Sequence, residues 1–328
     1  MNAPGAGARS RARQAAGGSC LACGSGNVTP WAQARDVEYR SVAETYTYLR
    51  CGECAALSID PVPMSRLREI YPANYYSFTT RGANGAGRAK VVYRVKNWLD
   101  RRWFRSMTRS IPGASLAALD VGGGTGEQLD ALKAADARVS RTVIVDLDEQ
   151  ADSAARARGH EYVRARIEDA QLRGPFDVIL LLNLIEHVAD PLSVLQKVRS
   201  LLSPRGVVLV KTPNYDSLDA RVFRDRNWGG YHCPRHWVIF TPASFERLIQ
   251  KAGLRVQQWQ YTQGAPFWTV SVIAWLADRS LLRVTRDRPI WTHPLYAPAA
   301  AAFAAFDFTR GVASRLSQMT FTLTADSP

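Results

Sequence analysis

No run of apolar residues in this sequence approaches the ~18 that a helix needs to cross a bilayer. Residues 1–19 (MNAPGAGARSRARQAAGGS) hold arginines but no apolar stretch of the kind an export signal carries. They read as a disordered tail, and the protein as cytoplasmic, at most peripheral on the inner face of the membrane. Cysteine is scarce, at five in 328 residues, and the lack of an export signal disfavours a disulfide framework. Acids are too few to balance bases. The 29 Asp and Glu against 42 Lys and Arg leave a net charge of +13, which favours anionic partners such as nucleic acid, a membrane surface or a phosphorylated substrate. What remains is ordinary globular composition, 46% hydrophobic and 22% charged, long enough for one large domain and an accessory one.

Four of the five cysteines fall in two knuckles, Cys20-Leu-Ala-Cys23 and Cys51-Gly-Glu-Cys54. Each CxxC turns two thiolates to one side, and two such turns complete a tetrahedral S₄ site for a structural zinc ion. Between them lie two strand-like runs, VTPWAQARDVEY and ETYTYLR, enough for a ribbon hairpin, so residues 20–62 are expected to form a small zinc ribbon. Cys233 stands apart and reads as a small buried hydrophobe. Residues 63–112 read as a helical cap or linker. Its stretch 81–109 carries nine basic residues against one acid, Asp100, with valines, tryptophans and Phe104 at helical spacing. Such a helix suits either an anionic membrane interface or packing on the main domain with a solvated basic face.

From 113 to 328 strand-like and helical patterns alternate. SLAALDV, RTVIVDLD, EYVRARI, FDVILLLN, GVVLVKTPN, LRVQQWQYT and QMTFTLTA are the strands, which predicts an α/β fold with a doubly wound, mostly parallel seven-stranded sheet. A helical insertion over about 265–314 precedes the last strand. Its first helix lies around FWTVSVIAWLAD, too short to span a bilayer.

The loop in ALDVGGGTGEQLDAL follows the first of these strands, where such folds bind a cofactor. A phosphate-binding P-loop requires GxxxxGK[ST], and no Lys follows here. A GxGxxG fingerprint counted from Gly122 puts Glu127 at its last position. The loop instead satisfies DxGxGxG through Asp120, Gly122, Gly124 and Gly126, which suits close approach of a nucleoside whose charge lies elsewhere. Asp146 ends the second strand, where a carboxylate accepts hydrogen bonds from ribose hydroxyls. Taken alone Asp146 fits NAD as well as a methyl donor; the glycine spacing favours the latter.

With these residues in place, the chain resembles a class I S-adenosylmethionine-dependent methyltransferase, whose fold is Rossmann-like. FDVILLLNLIEHVADPLSVLQKVRSLLSPRGVVLVKTPN and PRHWVIFTPASFERLIQKAGL extend the resemblance, the latter with a Thr241–Pro242 helix start. CGECAALSIDPVPMSRLREIYPANYYSF is similar to the N-terminal zinc-knuckle segment of a bacterial subgroup associated with sugar or polysaccharide biosynthesis. The resemblance implies S-adenosylmethionine as cofactor. Asp120, Gly122, Gly124 and Gly126 would surround its methionine part and Asp146 its ribose. Ile167 and Glu168 or Asp169 would lie near adenine, although Arg166 stands where the family often has Asp. Leu182 and Asn183 would close the site.

Methyl transfer to an oxygen needs alignment, exclusion of water and removal of a proton. The candidates are Glu186, His187, His232 and His236. Related quinone-pathway O-methyltransferases carry ExxEH here and can bind a metal through it; this chain has Asn183-Leu-Ile-Glu186-His187, without the first carboxylate. The reading is O-methylation of a sugar, a polysaccharide precursor or a related small molecule, with a lipid-linked acceptor and peripheral membrane contact through 81–109 and the insertion. The alternatives are an RNA methyltransferase, disfavoured because no RNA-binding module or NPPY-like signature is present, and a non-catalytic protein that retained the fold.

Overall fold

The computed structural model describes residues 18–75, 88–311 and 314–326, with only the backbone for 88–97. Most of the expected tail, and residues 81–87 of the basic segment, lie outside the described residues.

The chain opens with β1 (Val28–Arg35), β2 (Thr45–Cys51) and β3 (Leu57–Asp60), then a one-turn helix α1 (Leu67–Ile70) and the long helix α2 (Arg88–Thr108). The α/β part runs β4 (Leu116–Val121), α3 (Glu127–Ala135), β5 (Val139–Asp146), α4 (Glu149–Ala157), β6 (Glu161–Arg164), β7 (Phe176–Leu182), α5 (Pro191–Leu201) and β8 (Leu202–Pro213). It continues with α6 (Leu218–Val222), β9 (Val238–Ile239), α7 (Pro242–Lys251), β10 (Leu254–Thr262), α8 (Ala265–Asp278), α9 (Tyr296–Arg310) and β11 (Gln318–Ala325).

Seven strands form one sheet in the order β10-β11-β8-β7-β4-β5-β6. The contacts among β8, β7, β4, β5 and β6 are parallel, and β11 pairs antiparallel with both β8 and β10, so it alone runs against the rest. Two apolar cores fill its faces. One gathers Leu119, Val143, Phe176, Ile179, Val208 and Phe245, and the other Ala118, Leu129, Ile144, Val178 and Leu209. The alternation of neighbours Ala118 and Leu119 between the cores is the period-2 geometry of a strand buried on both sides. The helix starts follow their sequence signals. Asp190 accepts from the Ser193 amide with Pro191 in the first turn, and Thr241 and Ser244 form a reciprocal capping box ahead of α7.

The second sheet is antiparallel, β1-β2-β3-β9. Its last strand comes from 180 residues further on: Leu57 and Ser58 pair with Ile239 and Val238. The N-terminal ribbon and the segment before α7 therefore share one sheet. That segment is held a second time by a buried ion pair. Arg235 Nη2 and Nη1 donate to Asp36 Oδ2 and Oδ1 at 2.9 and 3.3 Å, with both side chains wholly buried. The Arg235 guanidinium lies over the Tyr39 ring at 4.5 Å. Among the described residues no helix is long and apolar enough to cross a membrane.

Removing one member of a buried pair strands the other's charge. Arg235→Met is expected to lower unfolding free energy by about 3–5 kcal/mol in urea. Adding Asp36→Asn, which neutralises the stranded carboxylate but keeps only one of the two oxygens that accept from the Tyr39 and Ser41 amides, is expected to recover part of it.

Candidate active site

The glycine loop leaves β4 beneath the carboxyl edge of the sheet. Gly122, Gly124 and Gly126 all have positive φ, at 76°, 51° and 86°, where a side chain is strained. The loop is tight against its surroundings except at one place. A Cβ at Gly126 would stand 2.3 Å from His160 Cδ2, and one at Gly122 would stand 2.8 Å from Leu184 Cδ1. At Gly124 it would meet nothing within 4 Å, and Gly124 faces a cleft of about 2660 Å³. The loop thus offers bare backbone to an outside group there, which is the fit a nucleoside cofactor needs.

Asp146, at the end of β5, braces that backbone. Its Oδ2 accepts from the Gly124 amide at 2.9 Å and its Oδ1 from the Asp148 amide at 3.0 Å. An ionised carboxylate has about four acceptor positions, so ribose hydroxyls can still be bound. Gly122, Gly124, Asp146, Ile167, Glu168, Leu182 and Asn183 all line the cleft. Asp120 and Gly126 stand behind its wall. Gly126 packs on His160, whose Nδ1 is 2.8 Å from Thr142 Oγ1. Asp120 is buried with one oxygen unpartnered, and burial together with the Asp146 charge pushes its carboxyl up to about 8. His160 supports the loop, and nothing in its sequence surroundings singles it out.

The cleft continues past Leu182 and Asn183 into a chamber where the histidines converge. Glu186 and His187 sit on a 3-10 turn after β7; His232 and His236 come from the loop between α6 and β9. Ring centroids of His187 and His236 are 4.7 Å apart, and those of His232 and His236 5.0 Å. The Trp237 amide donates to the Glu186 carbonyl at 2.7 Å, and the Tyr48 hydroxyl donates to the His236 carbonyl at 2.7 Å. These bonds fix the two segments together.

Their chemistry differs. His236 Nδ1 lies 2.8 Å from the Gly230 carbonyl, and its Nε2 faces Glu186 Oε1 at 3.9 Å. Glu186 is fully buried, with Thr212 Oγ1 donating to Oε2 at 3.0 Å and no hydrogen-bond partner for Oε1. Burial pushes its carboxyl up to about 8. His187 Nδ1 lies 3.0 Å from both the Arg235 carbonyl and the Tyr71 hydroxyl, and burial with the neighbouring His232 pushes its imidazole down to about 3. Burial drives His236 lower than usual as well. Glu186, His187 and His236 offer atoms within 4.8 Å of one another, a spacing that would also suit a cation. The first carboxylate of such a motif is absent, however: Asn183 stands there and accepts from Gln318 Nε2 at 3.2 Å.

Residues that the sequence did not single out complete the chamber: Glu38, Tyr39, Tyr71, Tyr75, Phe267 and Trp291. The clustered tyrosines of REIYPANYY are the only signal that could have flagged them. At the far end of the N-terminal segment, the sulfurs of Cys20 and Cys54 are 3.5 Å apart and those of Cys23 and Cys51 3.6 Å. All four fall within 4.8 Å of one another. Tetrahedral zinc with about 2.3 Å Zn–S bonds requires roughly this spacing.

A parallel sheet with one reversed strand, a glycine-rich loop after β4 and a carboxylate at the end of β5 fit a Rossmann-like nucleoside-dependent transferase. The family model described as a methyltransferase domain matches residues 93–258, and the chain belongs to that family, the class I S-adenosylmethionine-dependent methyltransferases. The ubiquinone biosynthesis O-methyltransferase of Cereibacter sphaeroides (strain ATCC 17025) is 30% identical over 247 residues, covering 66% of this chain and 95% of its own. That of Thiobacillus denitrificans is 29% identical over 176 residues, covering 49% and 70%. Among solved structures, a putative sarcosine dimethylglycine methyltransferase from Galdieria sulphuraria aligns with a TM-score of 0.47 at 16% identity, covering 71% of this chain and 88% of that one.

Glu186 yields a stability prediction. Folded, it holds its proton up to about pH 8; unfolded, it loses it near the ordinary 4.5. Its contribution is therefore fully present below pH ~4.5 and is lost as pH rises through 8. Asp120 acts with the same sign. The melting temperature is expected to fall between pH 5 and 8, and Glu186→Gln to flatten that fall. Thermal scans across this range check it.

Proposed function

We propose that this protein is an S-adenosylmethionine-dependent O-methyltransferase for a small hydroxylated acceptor. The observation that carries the reading is the continuity of the cleft, which runs from the glycine loop directly to the histidine cluster. A bound S-adenosylmethionine supplies an activated methyl group. The chain's own part is to hold the nucleoside on Asp146 and the Gly124 backbone, to align the acceptor, and to exclude water. Proton removal falls to the histidines, since Glu186 holds its own proton up to about pH 8.

The acceptor expectation changes. Neither curated relative described above is named for a sugar or polysaccharide; both are named for O-methylation in ubiquinone biosynthesis. The reading adopted is a non-sugar small molecule, with the 265–314 insertion shaping its chamber through Phe267 and Trp291. Peripheral membrane contact stays part of the proposal, supported by the exposure of Trp98 on α2 and Phe308 on α9, at 60% and 86%. For the N-terminal segment, 20–62, we propose a zinc ribbon.

Two measurements test this. Calorimetric titration should show saturable S-adenosylmethionine binding, weakened about 10–100-fold by Asp146→Ala, the loss of one or two charged hydrogen bonds. Methyl transfer from labelled cofactor to hydroxylated acceptors should then be detectable, and tight cofactor binding without transfer to any of them would sink the enzymatic reading. Elemental analysis should give one zinc per chain, reduced to none in a Cys23→Ser/Cys51→Ser variant with a lower melting temperature. Zinc-free wild-type protein of unchanged stability would remove the ribbon proposal.

A further inference from the structure

His232 has a carboxylate within hydrogen-bond distance, whereas His236 faces the Glu186 carboxyl only at 3.9 Å. His232 Nδ1 is 2.7 Å from Glu38 Oε1, and its Nε2 is 3.0 Å from the Tyr75 hydroxyl. An ionised carboxylate only accepts, so the ring proton sits on Nδ1 and the Nε2 lone pair accepts from Tyr75. A base turned toward the cleft and oriented by a third group is the recurring arrangement of proton-abstracting dyads. Glu38 and His232 both line the cleft, and their side chains are only 13% and 8% exposed. His187 and His236 lack this support. Their Nδ1 atoms lie against the neutral carbonyls of Arg235 and Gly230, so a positive charge on either ring would have no counter-charge at that bond.

Tyr75 marks where an acceptor hydroxyl would meet this base: its own hydroxyl lies on Nε2, with its ring 5.8 Å from the imidazole centroid. Tyr39 and Tyr71 stand 5.3 and 5.0 Å from the Tyr75 ring, and with Phe267 and Trp291 they give the chamber aromatic walls.

Resting on the O-methyltransferase reading, we propose that Glu38 and His232 form the general-base dyad of this enzyme. The N-terminal segment thereby supplies one of the two members. In the reaction, the acceptor hydroxyl replaces that of Tyr75 and passes its proton to His232 Nε2. The acceptor oxygen forms the new O–CH₃ bond as the C–S bond to the sulfonium breaks, and the bonding pair stays on sulfur as a neutral thioether. The imidazolium is held by the Glu38 carboxylate until it returns its proton to water. Glu38 acts through His232 and is a positioning residue.

The probe is 4-nitrocatechol, whose visible spectrum distinguishes phenol from phenolate. It is added to the full-length, zinc-replete protein with S-adenosylhomocysteine at a pH where the free probe is neutral. Wild type is expected to bind it as phenolate; His232→Gln and Glu38→Gln should bind it neutral. With S-adenosylmethionine, kcat on the probe should fall about 10²–10⁴-fold in His232→Gln. It should fall less in Glu38→Gln and recover in part in Glu38→Asp, with KM nearly constant throughout. Unchanged S-adenosylhomocysteine affinity in the variants excludes a general loss of fold. A kcat within threefold of wild type in His232→Gln overturns the dyad, as does a loss confined to KM. Wild-type protein that methylates another hydroxylated compound with a kcat unaffected by His232→Gln overturns the dyad and leaves the O-methyltransferase reading standing. Failure with every acceptor sinks that earlier reading instead.

Discussion

The Asp36–Arg235 pair is the constraint on which the chamber depends. Burial alone would push the Asp36 carboxyl up, but the guanidinium opposite outweighs it and holds the group below its usual range. Asp36 also accepts from the Tyr39 and Ser41 amides and the Ser41 hydroxyl, so one carboxylate organises the turn that carries Glu38. Arg235 lies between His232 and His236 in sequence, and its own carbonyl faces His187. Fixing this single charge pair therefore sets the positions of three histidines and of the carboxylate that orients one of them. The arrangement is stiff because two wholly buried ions cannot separate without exposing or stranding charge.

Most of the sheet was legible in the sequence because its central strands are buried on both faces and read as nearly continuous apolar runs. β10 and β11 fall on LRVQQWQYT and QMTFTLTA, and the helix start at Thr241 on its cap signal. The glycine loop was legible for a different reason: positive φ and close approach leave little choice of residue at Gly122, Gly124 and Gly126. β3 and β9 were not read. A two-residue strand such as Val238–Ile239 has no periodicity to detect, and its pairing with Leu57 joins positions far apart in the chain.

The candidate site was legible in part, and along the same line. The residues following β4, β5 and β7 line the cleft because the topology of a parallel sheet dictates where they go. Glu38 was not legible, because its contact with His232 spans 194 residues and arises from the sharing of a sheet between the ribbon and the segment before α7. The protonation preferences of Asp120 and Glu186 were equally hidden. They come from depth and missing partners, which the residue letters do not record.

Because Thr262 at the end of β10 pairs with Gln318 at the start of β11, the whole of 263–317 is a digression between two strands that are already zipped together. Lengthening a closed loop of this kind raises its closure entropy by only about 0.6 kcal/mol for each doubling. Phe267 and Trp291 reach the cleft from this digression, whereas the glycine loop and Asp146 belong to the opposite half of the sheet. Descendants of this chain can thus acquire new clientele by rewriting one excursion, leaving the donor half untouched.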